Sequence, residues 1–492
     1  MLFNSALYGV FLLATYAVFW TLSTRRLPRV LFLVAASYGF YFYGTYDSAT
    51  EAGTGQPVPG GPFLWALLCL GIIFVGSTID YAVGKQLGRT ESPRARKALL
   101  LVSIVYYLGV LSLFKYWNFA VDSFAQLFAA VAPRLHVQPT HLRLVLPFGI
   151  SFFTFETMSY TIDVYRKEIP PADRYLDYLL FVCFFPHLVA GPIVRPHTML
   201  PQLAATPVMD EGQQADGMWR IAQGLFKKVA IGDFLAQNLV NRVFDNPERY
   251  SSLEVTIAVY AYAIQIYCDF SGYTDVAIGS AQLFGYRLPP NFDRPYLSID
   301  LQDFWRRWHI SLSSWLRDYL YIPLGGSKHG TWKTYRNLFL TMLLGGLWHG
   351  AAWTFVIWGA LHGGMLAVNR WVSQHETLGK WRMPRPLSIF LTFQFVCFAW
   401  IFFRASSFEL ALLVIKRIGK GELGVEHLTR NVFLVLALGF VLHLVPRSFI
   451  ARAKEQWTRS PAFVQGAILA VFAYGLHRVA GAKAEPFVYG QF

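Results

Sequence analysis

Two histidines stand where an ionisable side chain is least expected. His349 lies in the run LLGGLWHGAAW at 343–353, in the middle of an apolar segment. An ionisable group at membrane depth is costly and is a functional-site hypothesis by default. Neutral imidazole is the usual general base near pH 7, and such a base could deprotonate a hydroxyl as it attacks a thioester. Gly345, Gly346 and Gly350 remove bulk around His349. They let a helix or a substrate come close and are expected to leave access to the ring. The competing reading, a histidine hydrogen-bonded to a neighbouring helix, ranks second here. His362 lies deeper in the same segment and faces elsewhere if the helix is continuous, so the structural reading is preferred for it.

His309 sits in DFWRRWHISLSSWLRDY at 303–319. Placed on one helix at about 100° per residue, Phe304, Trp308, Leu312, Trp315 and Tyr319 share a face. Arg306, Ser313 and Arg317 form a polar strip beside it, with His309 at the border. Such a helix belongs at the membrane–water interface. On pattern alone, an anchor helix with His309 at its edge is the favoured reading.

Other candidates carry less. Asp269 and Asp275 lie about 240° apart on a helix and cannot form one paired site. Each is expected to accept hydrogen bonds from other helices or to pair with an arginine. Glu156 is read as scaffold in the same way, and His187 and His197 make no metal site. The sequence has no GxSxG elbow, no Walker-type loop and no HExxH. Cys69, Cys183, Cys268 and Cys397 fall in apolar segments without a CxxC pair, as small buried residues do.

These residues must be positioned by membrane-crossing helices. Of 492 residues, 54% are apolar and 15% charged, against about 25% charged in soluble domains. Apolar runs near the roughly 20 residues needed to cross a bilayer recur from Leu2–Leu22 to Ala462–Ala480, with Leu338–Val368 as one broken span or two. The expectation is an all-α polytopic membrane protein with about ten to twelve crossings, some of them re-entrant. Leu2–Leu22 is read as a retained span, not a cleaved signal. Segment 297–336 is too polar to span and is placed at the interface. No repeat or soluble domain is visible, so residues 1–492 read as one membrane domain.

The net charge is +14, and its distribution matters more than its size. Loop 23–29 holds Arg25, Arg26 and Arg29, loop 84–97 holds Lys85, Arg89, Arg94, Arg96 and Lys97, and loop 163–175 holds Arg166, Lys167 and Arg174, while loop 47–62 has Asp47 and Glu51 and no Lys or Arg. This pattern places the N-terminus outside and the basic loops in the cytoplasm. Basic residues scattered between apolar spans do not suit nucleic-acid binding. Membrane lipid is the partner they fit. Residues alone leave open acyl transfer and transport through a polar pocket.

Long runs narrow the choice. LPFGISFFTFETMSYTIDVYR at 146–166, FFPHLVAGPIVRP at 184–196, GLFKK at 224–228 and QIYCDFSGYTDVAIG at 265–279 resemble the membrane-bound O-acyltransferases. NFDRPYLSIDLQDFWRRWHISLSSWLRDYLYIPLGG at 291–326 and RNLFLTMLLGGLWHGAAWTFVIWGALHGG at 336–364 are the most specific pieces. The likeness covers most of the chain, is strongest over 146–364, and is closest to the branch that acetylates exopolysaccharides such as alginate. The resemblance implies a ring of helices around a tunnel. It also implies His349 and His309 as catalytic residues and a cytoplasmic acyl donor, expected to be acetyl-CoA. A periplasmic SGNH-type acetyltransferase is implied as partner, a polysaccharide as acceptor and the bacterial inner membrane as location. No metal or permanently bound cofactor is expected. Arg306 and Arg317 are assigned to the anionic phosphates of CoA, and Arg307 to lipid or topology. The tail PFVYGQF at 486–492 resembles the family ending apart from Gly490. D-alanyl transfer to teichoic acid, acetylation of peptidoglycan or cellulose, and an export channel are the alternatives, although a transporter often shows internal repeats.

The orientation is testable. With native cysteines removed, Gly55→Cys should react with an impermeant thiol reagent in intact cells and Ser92→Cys should not. The reverse pattern would overturn the orientation.

Overall fold

The computed structural model describes residues 3–51, 58–132, 138–142, 144–189, 191–376 and 383–479, and every regular element among them is a helix. The tail at 486–492 and the middle of loop 47–62 lie outside the described residues. In a lipid environment a helix satisfies its own backbone, so the apolar runs become helices and their ends fall at Ser, Pro and Gly. Ser5 caps the first helix, Ala6–Thr21, through its Oγ, which accepts from the Tyr8 N–H at 3.2 Å. At 16 residues this helix is about 24 Å long, shorter than the apolar run suggested.

Gly61–Arg89, Pro93–Val131, Arg385–Arg404 and Ala462–Val479 are long and apolar enough to cross a bilayer. Arg430–Leu444 and Arg447–Arg459, bent by 91° at their junction, can make a fifth span. Leu101, Val105, Leu108, Phe124 and Leu127 are exposed along Pro93–Val131, as expected of a surface that faces lipid tails. Ser252–Leu283 and Trp353–Gln374 are also long, at 32 and 22 residues, but they carry more polar side chains. The four cysteines are free and buried.

The chain contains two compact units, Met1–Asp210 with Ser280–Leu288, and Glu211–Gly279 with Pro289–Phe492. In the first unit Glu156 and His187 form a fully buried pair, Oε1 to Nδ1 at 3.1 Å, and Glu156 Oε1 also accepts from the Val194 N–H at 2.9 Å. Glu156 thus ties helix Ile150–Arg166 to the broken FFPHLVAGPIVRP segment, in keeping with its reading as scaffold.

In the second unit both span carboxylates find cations, and the main partners are lysines, not the arginines anticipated. Lys228 Nζ lies 2.5 Å from Asp269 and 2.7 Å from Asp233, while Lys227 Nζ lies 2.5 Å from Asp275, with Arg220 at 3.6 Å. The GLFKK run, which crosses from helix Glu211–Leu225 into the π-helical turns Phe226–Asp233, is therefore locked onto Ser252–Leu283 by charge. Removing one partner leaves a buried charge uncompensated, at a cost of about 3–5 kcal/mol. Lys228→Met should lower the thermal midpoint of the detergent-solubilised protein, read by a thiol-reactive dye as the buried cysteines become exposed. Lys228→Met/Asp269→Leu should regain part of the loss, and equal midpoints for wild type and Lys228→Met would contradict the lock.

Candidate active site

His349 is the last residue of helix Thr331–His349. Gly350 and Ala352 are extended, and a new helix begins at Trp353. The apolar segment 338–368 is thus a helical hairpin with its break immediately after the candidate base. Of the two approaches the glycines allow, Gly346 and Gly350 serve that of a helix, and they do not leave the ring open. A Cβ on Gly346 would lie 2.3 Å from the Phe355 carbonyl oxygen and 3.0 Å from Gly359 Cα. At Gly350 a Cβ would lie 2.0 Å from the Phe355 ring. The space they leave is filled by the partner helix, and His349 is buried. Its ring is boxed by Trp348, Trp358 and Phe403, with centroids at 4.9, 5.1 and 5.3 Å, all three edge-on.

The 303–319 run is not one helix. It breaks between Leu301–Arg307 and Ile310–Leu316, with Trp308 extended and His309 left-handed at φ 45°. Such a conformation is uncommon for a residue with a Cβ and is held only by its surroundings. Asn291 holds it here. Its carbonyl accepts from the Ile310 N–H at 2.9 Å, and its Oδ1 accepts from the Ser311 N–H and Oγ–H at 3.2 and 2.6 Å. Asp293 N–H donates to the Arg307 carbonyl at 2.9 Å. The segment NFD at 291–293 thereby takes up groups that the break would leave unpaired. The result is a His309 turned fully inward, not placed on a helix edge. It meets Phe270 edge-on at 4.6 Å and Trp348 at 6.4 Å. Burial pushes its pKa down to about 3, so the ring is neutral at physiological pH. Trp348 thus touches both histidines of the predicted pair.

A cavity of about 470 Å³ opens beside these breaks. Trp305, Ile310, Leu316 and Met342 are among its apolar lining, and Arg306, Arg317 and Arg370 supply cations on its wall. Arg317 also bonds Asp318, Nε to Oδ1 at 2.8 Å. Arg307 instead bonds Asp303 at 2.8 Å and is not among the cavity-lining residues. Sequence reasoning therefore named two of the three cavity arginines and set aside the one that points elsewhere. It missed Arg370, Asn291 and the position of His362. Neither His309 nor His349 is on the cavity wall. The connection runs through rings: Trp305, on the wall, packs edge-on against Trp358 at 5.7 Å, and Trp358 packs on His349. A buried imidazole behind an aromatic wall thus adjoins a cavity that carries three arginines, groups suited to an anion.

A family model described as MBOAT, membrane-bound O-acyltransferase family, matches residues 63–412, which contain both histidines and the cavity. The protein named "Probable alginate O-acetylase AlgI" of Pseudomonas aeruginosa is 41% identical over 419 residues, covering 84% of this chain and 73% of its own. Its namesake in Pseudomonas putida is 35% identical over 529 aligned positions, covering 100% of both chains. A protein named peptidoglycan O-acetyltransferase from Helicobacter pylori is 34% identical over 468 residues, covering 88% of this chain and 82% of its own. With the match to both histidine runs and these relatives, the chain belongs to the membrane-bound O-acyltransferase family and is a multi-pass membrane O-acyltransferase.

Proposed function

We propose that this protein takes acetyl from acetyl-CoA on the cytoplasmic side of the bacterial inner membrane and passes it outward for O-acetylation of an exopolysaccharide such as alginate. A periplasmic SGNH-type acetyltransferase would complete the transfer to the polymer. The observation that carries this reading is the sequence of environments in one unit: an arginine-lined cavity, an aromatic wall and a buried histidine at a helix break. The names of the relatives in two polysaccharide systems support an acetyl group and a carbohydrate acceptor.

Chemically, Arg306 and Arg317 hold the donor's phosphates and leave its thioester arm to enter past Trp305. His349 takes the proton of the acceptor hydroxyl as the oxygen attacks the acetyl carbonyl. The C–O bond forms, the C–S bond breaks, and the CoA thiolate leaves and is reprotonated. His309, neutral and held in a fixed backbone conformation by Asn291, orients or polarises the donor end. Desolvation favours the neutral form of an imidazole, which is the form that can accept the proton.

In membrane vesicles supplied with radiolabelled acetyl-CoA, His349→Gln should keep expression and detergent stability and lose transfer to polymer or partner. Gln can hydrogen-bond but cannot accept a proton at neutral pH. Arg306→Ala/Arg317→Ala should instead raise the KM for acetyl-CoA by about tenfold or more while the maximal rate changes little. Near-normal transfer by folded His349→Gln would remove this histidine from the mechanism. Loss of folded protein would make it a structural strut.

A further inference from the structure

Helix Trp353–Gln374 presents one continuous face to the cavity and beyond it. Ser373, Arg370, Asn369 and Leu366 line the cavity, and one turn deeper on that face stands His362. The break at 350–352 resets the helical phase, so His362 does not point away from His349 as a continuous helix would require. Its ring lies 4.7 Å from Trp358, which lies 5.1 Å from His349, and 5.2 Å edge-on from Trp305 on the cavity wall. Phe304 and Phe395 close the remaining sides at 6.1 and 5.6 Å.

This cluster holds an anomaly. His362 is fully buried, and neither ring nitrogen has a hydrogen-bond partner among the described residues. The indole N–H groups of Trp305 and Trp358, both buried, are likewise without partners. Buried polar groups in native proteins are overwhelmingly paired, and each exception asks for a cause. Phenylalanine would fill any of these three sites without the desolvation cost. Here four unpaired polar atoms gather in one cluster of packed rings, between the cavity wall at Trp305 and the ring of His349. Their chemistry is specific: two N–H donors, and an imidazole that accepts at one nitrogen. A secondary amide is the complementary group, offering a carbonyl to an indole and an N–H to the imidazole.

Building on the acyl-thioester reading above, we infer that Trp305, Trp358 and His362 form a binding subsite for a secondary amide in the thioester arm of the donor, with His362 accepting the amide N–H. The three residues select amide-bearing donors and draw the arm inward until its acyl carbon reaches His349. They act on binding and positioning and do not take part in the proton transfer.

The test uses the full-length enzyme in vesicles and two small acetyl donors: S-acetyl-N-acetylcysteamine, and its analogue in which the amide N–H is replaced by an ester oxygen. Wild type should prefer the amide by about tenfold in kcat/KM, a ratio ordinary for one buried hydrogen bond. His362→Leu should bring that ratio close to one and raise the KM for the amide donor, with kcat nearly unchanged. Trp305→Phe keeps the ring packing and serves if His362→Leu does not fold. It should raise the amide donor's KM about fivefold through loss of the indole N–H. An amide preference that survives in His362→Leu, or a KM unmoved in Trp305→Phe, would overturn the subsite. Wild-type enzyme that used neither these donors nor acetyl-CoA would overturn the thioester reading itself, and the subsite with it.

Discussion

Gly346 and Gly359 meet where the two arms of the 331–374 hairpin cross, and no side chain fits between them. A Cβ on Gly359 would stand 2.5 Å from the Met342 carbonyl oxygen, and one on Gly346 would stand 2.3 Å from that of Phe355. That backbone-to-backbone approach brings Trp358 onto His349 and places His362 one turn beyond. Without a hydrophobic driving force between helices in lipid, such close packing is a principal source of helix association. The hairpin therefore does two jobs with one contact. It holds the arms together, and it closes a wall of Trp, Phe and His side chains around the base. The imidazole is buried, and Trp358 and Trp305 stand between it and the neighbouring cavity.

Two buried carboxylates in the rest of the molecule are each met by a partner from elsewhere in the chain. Glu156 meets His187, and Asp269 meets Lys228. Asn291 reaches across to the break at His309, where an uncommon backbone conformation would otherwise go unsupported. The ion pairs are weak evidence for stability in themselves, because desolvation offsets much of the Coulomb gain. They do fix which helices pack and in what register. The arginines on the cavity wall differ in kind: Arg306 and Arg317 lie on an open cavity, where an anion can reach them.

Much of this was legible in the residues. The apolar runs announced helices, the burial of His349 and of the cysteines followed from their surroundings, and the long runs around RWHIS and LWHG identified the family. What the sequence hid were contacts made at a distance. A helical wheel drawn through 303–319 kept His309 on an edge, because nothing local says that Asn291 will pair with Ile310 and Ser311 and stabilise a turn there. A wheel drawn from His349 to His362 failed for the same reason, since the extended residues after His349 reset the phase. The glycines were noticed as room for a helix or a substrate, and at Gly346 and Gly350 it is a helix that takes the room. Arg370 carried no signal at all in the sequence and joins Arg306 and Arg317 only through the fold.

The central claim is that the acyl group of a CoA thioester is delivered to His349 from the arginine-lined cavity. A donor analogue with an alkylating acyl group, bromoacetyl-CoA, tests this directly, with peptide mapping by mass spectrometry after incubation with the membrane-embedded enzyme. The account predicts an adduct on His349, suppressed by excess acetyl-CoA and weakened in Arg306→Ala/Arg317→Ala. Inactivation with His349 unmodified and the adduct on a residue outside the second unit would contradict it.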